Sequence, residues 1–420
     1  MKTNKAILLL GGLAIAGASV GQAKEEVAIE SAKKGAYTLG DFGVTGPDFV
    51  KNTEVFINGR LRFEGADQDA KSGAAVASLR NRFGLRTGKV SGFSVLAEAE
   101  HTWILSNTSD YSPFPSSSRS IIADPDNFDL NRLQLDYSLK STDFSLGRQY
   151  INHGDQRFIG AVSWRQNDQT FDAVSVTNST LKDLNLTYSY ANQVNRIFGT
   201  NAPSGALSRW HGDVHLMRGD YSGFSAGTFS GFAYLMDFEN AVAESTNTYG
   251  AEFKGSQQLS QAMPDLDYLV TGALQNGAGD NASYEEYYFR ADLSMNAKPV
   301  NGGLGAEWMT GDGDNAFIFP LGTNHKFGGF ADAFLTTPGS GLHDYYAWIG
   351  GKCPLEINHK VIFHHFSSDK GNDFIGYEFD YVSKKVLTEN TSVLMKLAHL
   401  EGSRTVKDVQ RASIQLDYSF

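Results

Sequence analysis

The side chains best placed to do chemistry are arginines at every second position. "VFINGRLRF" carries Arg60 and Arg62, and "ASLRNRFGLRTG" carries Arg80, Arg82 and Arg86. Arg132, Arg290 and Arg411 fall on the corresponding polar parity of their own alternating stretches. On an extended strand, positions two apart share a face, so each stretch offers a row of guanidinium groups. The guanidinium fork is planar and permanently charged, which suits carboxylates. Arg157 and Arg165 lie in a long connection, 151–170, and an inward fold of that segment would add them to the same wall. Glu98, Glu100 and Asp136 have the same parity as the arginines. Two outcomes stay open. The acids neutralise the arginines in a structural ladder, or the arginines form a constriction that attracts anions.

Motifs for catalysis or metal binding are weak by comparison. "GFSAG" (residues 223–227) has the spacing of a nucleophile elbow, but it opens an alternating stretch instead of turning from strand to helix. Ser225 is expected to be a small strand residue. "GDGDN" (residues 311–315) resembles part of a calcium loop, yet Ala316 breaks the oxygen-ligand spacing. His364 and His365 are adjacent, so a strand sends them to opposite faces. The single cysteine, Cys353, forms neither an internal disulfide nor a metal cluster. No catalytic residue, metal site or cofactor is assigned, and an enzyme is not expected.

The elements that must position the arginines read as strands from end to end. Leu184, Leu186, Tyr188 and Tyr190 alternate with Asn185, Thr187 and Ser189, and Ile375, Tyr377, Phe379 and Tyr381 alternate with Glu378 and Asp380. In "GFSAGTFSGFAYLMDF" the apolar face is Phe224, Phe232, Tyr234, Met236 and Phe238. About eighteen such segments can be counted, the first beginning near residue 54. Their connections alternate in length. Those at 88–91, 140–141, 179–182 and 220–222 are short, and "KKVLTEN" (residues 384–390) is a compact turn. Those at 105–129, 151–170, 193–209 and 312–341 are long, and 65–75 is medium. A sandwich has no reason to alternate in this way, whereas an outer-membrane barrel has short periplasmic turns and long extracellular loops.

The bulk properties agree. The chain has 44 Gly, 28 Phe and 18 Tyr but only 10 Pro, and its mean hydropathy is −0.30. Barrel strands expose only alternate residues to lipid, so low hydropathy coexists with aromatic richness. "MKTNK", an apolar run and "GQA" form the layout of a signal peptide cleaved after Ala23. The domain reading is a signal peptide at 1–23, an N-terminal periplasmic segment at 24–53 with a short helix within 24–34, and a barrel at 54–420. The terminal stretch "RASIQLDYSF" alternates up to its last residue. Tyr418 and Phe420 are read as an assembly signal that faces lipid near the periplasmic interface. Leu186, Tyr188, Phe232, Phe379 and Leu416 are expected on the same lipid-facing surface. The expected fold is therefore all-β, a single transmembrane antiparallel β-barrel of about 18 strands. With 36 Lys+Arg against 47 Asp+Glu and a net charge of −11, nucleic acid is excluded as a partner.

Three segments carry a family resemblance. "LGRQYINHGDQRFIGAVSWRQNDQTFDAVSVTN" (residues 146–178), "VNRIFG" (residues 194–199) and "HKFGGFADAFLTTPGSGLHDYY" (residues 325–346) resemble the alginate-export family of outer-membrane porins. The resemblance implies one eighteen-stranded barrel with a cationic lumen. It implies passive passage of small or polymeric anionic solutes, with a general porin or a loop-mediated, adhesin-like barrel as alternatives. The expected partners are outer-membrane lipid and lipopolysaccharide, the outer-membrane assembly machinery, and an anionic solute or polysaccharide.

Overall fold

The computed structural model describes residues 37–420, apart from 117, 259, 261–263, 298 and 404. The signal peptide and the helix expected within 24–34 lie outside the described residues. Eighteen antiparallel strands close into one barrel. They are β1 (Glu54–Gln68), β2 (Ala74–Arg86), β3 (Phe93–Ile104), β4 (Asn127–Leu139), β5 (Thr142–Gln149) and β6 (Thr170–Asn178). Next come β7 (Leu184–Asn195), β8 (Arg209–Phe224), β9 (Gly227–Phe238), β10 (Thr246–Gln258), β11 (Asp265–Gly277) and β12 (Glu285–Ala297). The circuit ends with β13 (Val300–Met309), β14 (Leu342–Lys352), β15 (Ile357–Ser367), β16 (Phe374–Thr388), β17 (Thr391–Gly402) and β18 (Val409–Ser419). Each strand pairs with the next, and β18 returns to β1 with Leu416 opposite Leu61 and Ile414 opposite Phe63. Closure leaves no unpaired edge, which a lipid environment requires.

Alternate connections of an up-and-down barrel share a rim. One rim carries 105–126, 150–169, 196–208 and 310–341, and the other carries 140–141, 225–226, 298–299 and 389–390. Three turn readings are corrected. Residues 69–73 are a short connection. Residues 384–388 continue β16, and only 389–390 turn. Ser225 sits in the hairpin turn between β8 and β9, because the phase of the alternation breaks at Gly227.

The barrel is inverted relative to a water-soluble domain. Phe83 on β2 is 57% exposed, while its neighbour Arg82 is 9% exposed and faces the lumen. Leu186, Tyr188, Phe379 and Leu416 face outward as expected. An apolar outside around a charged inside is the pattern of a lipid-embedded barrel.

Phe232 is the exception. It is 7% exposed and faces inward with Tyr234, Met236 and Phe238. The long connections explain the reversal. Residues 150–169 and 310–341 fold into the lumen and pair with each other, with Ile159 beside Leu321 and Thr323 N donating to Gln156 O at 2.9 Å. Phe158 packs against Phe232, Tyr234, Tyr288 and Phe319. Apolar clusters built on these inward loops line the lumen from β6 round to β18, while buried arginines concentrate on β1 and β2.

Residues before β1 close the seam at the other rim. Tyr37 and Thr38 pair with Val55 and Glu54, beyond the point where β18 ends. The Tyr37 ring stacks on Phe420 at 4.4 Å. Tyr418 is exposed on the outer face, but Phe420 is partly covered by Tyr37 and Phe42 instead of lying bare.

Candidate functional site: an arginine wall and two inward loops

The wall begins at the seam. Arg60 on β1 donates to Asp417 on β18 at 2.7 Å and to the carbonyls of Ser163 and Trp164 in the inward loop. Arg62 lies 3.9 Å over the Trp164 ring and bonds Gln415. It also lies 3.3 Å from Asp124, in the 105–126 connection. On β2, Arg82 binds both Glu100 and Asp168. Arg80 stands directly opposite Arg60 across the β1–β2 pair. Its Nη2 bonds Asn58, while its Nε and Nη1 have no hydrogen-bond partner.

A bulge helps to build the β4 end of the wall. Pairing slips between Glu98 and Ala99 opposite Arg132 and Leu130, and this extra residue turns both Asn131 and Arg132 onto Glu98. Asp136 pairs with no arginine; it accepts from Gln134 and Ser145. Arg86 is not part of the buried wall. It sits half-exposed at the short-turn end, 3.9 Å from Glu54.

The other arginines anchor loops. Arg290 on β12 binds Asp155 of the 150–169 connection at 2.5 Å and Asp292 at 2.6 Å. Burial opposes ionisation of Asp155, yet Arg290 and Lys326 hold its carboxyl down at about 2. Arg157 reaches Glu307 at 3.1 Å and covers the Phe319 ring. Arg165 bridges Glu64 on β1 and Asp332 of the 310–341 connection, and Arg411 on β18 shares the same two acids.

Four side chains that sequence reasoning missed complete the centre: Trp164, His325, Asp332 and Lys396. The His325 ring stacks on Trp164 at 4.4 Å, and Lys396 on β17, the strand next to β18, lies 3.7 Å over Trp164. Burial lowers His325 from 6.5 to about 4, so the ring is neutral at pH 7. All but Lys396 stand in the segments that carry the family resemblance, which was the available signal. Above this centre, at the long-loop rim, a cavity of about 450 Å³ is lined by Arg165, Arg411, Asp332 and His325 together with Arg196 and Trp210. Among the described residues no group of three histidine, cysteine or acidic side chains could hold a metal.

The closed eighteen-strand barrel has counterparts among solved structures. Pseudomonas aeruginosa OccK3 (OpdO) superposes with a TM-score of 0.67 at 13% identity, covering 89% of this chain and 97% of that one. Acinetobacter baumannii OccAB2 gives 0.70 at 14%, covering 89% and 99%. Pseudomonas aeruginosa OpdQ gives 0.69 at 12%, again covering 89% and 99%. The fold is that of the Occ/Opd outer-membrane porins. No family model matches the sequence, and neither does any curated protein. At these identities the shared property is the porin fold, so the side chains inside it must speak for themselves.

Proposed function

We propose that the chain is an outer-membrane channel that passes small or polymeric anionic solutes, sugar acids and uronates among them, by passive diffusion. The observation that carries this reading is Arg80, which has no acid partner among the described residues, on a lumen wall where Arg60, Arg62, Arg82, Arg132 and Arg411 each meet one, against an exterior that suits lipid. A narrow lumen between low-dielectric walls focuses the field of such groups. Arg80 contributes most to anion attraction, because its Nε and Nη1 are not committed to a carboxylate. Location in the outer membrane, export by the signal peptide and assembly through Tyr418 and Phe420 belong to the same proposal.

The alginate-export reading rests on the likeness of the three quoted segments, which contain Asp155, Trp164, Arg165, Asp168, His325 and Asp332. The test is single-channel recording in planar bilayers with glucuronate and glucose as probes. Block by glucuronate at concentrations where glucose has no effect supports an anion channel. Equal block by the two would favour a general porin. Full-length protein that inserts but never conducts would favour the adhesin-like alternative.

A further inference from the structure

The Asp332 carboxylate sits where a solute carboxylate would bind. Its Oδ2 is 2.5 Å from Arg165 Nη2 and 3.7 Å from Arg411 Nη1, and its Oδ1 is 2.5 Å from His325 Nδ1. Two arginines converging on one carboxylate make a ready recognition site for an acid. Here a residue of the protein's own loop fills it. The site forms part of the lining of the 450 Å³ cavity at the long-loop rim. A solute entering that cavity meets Asp332, its two arginines and His325 together.

The backbone around Asp332 is held in an unfavourable conformation. Asp332 holds a φ of 59°, and Gly328 and Gly329 hold 66° and 83°. A non-glycine residue in the left-handed region persists only when its surroundings impose it. The surroundings combine apolar packing, with Phe330, Ala331 and Phe334 buried and Phe334 against Phe366, with two backbone contacts to acids. Ala331 N donates to Glu378 Oε1 at 2.7 Å, and Phe330 N donates to Asp380 Oδ2 at 3.0 Å, both acids standing on β16. Glu64 also contacts Arg165 and Arg411, so the arginines keep one acid when Asp332 leaves.

We infer that Asp332 is an internal substitute for the solute carboxylate, and that an anionic solute enters the constriction by displacing it from Arg165 and Arg411 and drawing the Phe330 and Ala331 amides off Asp380 and Glu378 on β16. This rests on the anion-channel reading above and adds the coupling between binding and release of those amides. Neutral solutes cannot replace the carboxylate and leave the segment docked. The apparent affinity is lowered by the fraction of time the site is self-occupied, so removing Asp332 should tighten anion binding by about tenfold.

Two measurements test this on the full-length protein. The first is hydrogen exchange on the wild type. Saturating glucuronate should speed exchange of the Phe330 and Ala331 amides by about tenfold or more, and glucose should not. The second is single-channel block of D332N, in which half-block by glucuronate should fall about tenfold while glucose stays unchanged. If glucuronate selectively blocks the wild type but leaves those amides as protected as before, the displacement is wrong and the anion-channel reading stands. If glucuronate and glucose block equally, and Arg165→Gln changes neither, the reading of the site fails and the displacement fails with it.

Discussion

Arg80 and Arg82 stand two residues apart on β2 and point into the same lumen, yet they are held differently. Arg82 is sandwiched between Glu100 and Asp168, whereas Arg80 faces Arg60 and bonds only Asn58. Removing one partner of a buried ion pair costs about 3–5 kcal/mol, because the other charge stays behind unpaired. Arg82→Gln is therefore expected to lower stability by roughly that amount in urea unfolding from detergent micelles, with little change in reversal potential. Arg80→Gln should do the opposite, moving the reversal potential toward cations with a smaller stability loss. Equal effects of the two changes on selectivity would contradict the division of labour. The sequence showed the parity of these arginines, because a strand's period is two. It did not show which acid each one meets, since Asp168, Asp124 and Asp332 arrive from loops that no periodicity governs.

At the scale of elements, the strands were legible and the inward loops only partly so. Every one of the eighteen strands falls within a few residues of its alternating segment. The face of β9 was misjudged, because large apolar residues on a barrel normally face lipid, and here Phe158 meets Phe232 from inside. A charge test separates the two faces. Arginine near the bilayer midplane costs about 2–4 kcal/mol on a lipid-facing position, so Phe379→Arg, well inside β16 and outward-facing, should reduce assembled, heat-modifiable protein. Phe232→Arg should assemble more nearly as the wild type but lose the packing of the 150–169 loop, read as faster proteolysis within that segment. Failure of both changes to assemble would leave β9 unresolved between its faces and count against the inward assignment.

The docked 310–341 connection should also respond to acid. Burial holds His325 at about 4 against an ordinary 6.5, so the docked loop excludes a proton that the released loop accepts. Docking is then strongest above about 6.5 and weakens as pH falls from 6.5 towards about 4. Asp332 does not offset this, because His325, Arg411 and Arg165 hold its carboxyl well below the usual range despite burial. Across that window the mean conductance should rise, and His325→Gln should flatten the rise. A pH-independent conductance in the wild type would remove His325 from the latch.

The whole molecule carries a net charge of −11, while its lumen wall is rich in arginine. The two facts are compatible only if position outweighs the total, because charges on loops and outer rims are screened within about 8–10 Å, while those in a narrow lumen are not. Composition alone therefore pointed away from anions, and the parity of a few residues pointed towards them. The most direct measurement is the reversal potential of the full-length protein in a planar bilayer separating two concentrations of potassium chloride. Stepwise conductance with a reversal potential on the chloride side is the predicted result. A cation-side reversal potential, or insertion without any conductance steps, would contradict the account.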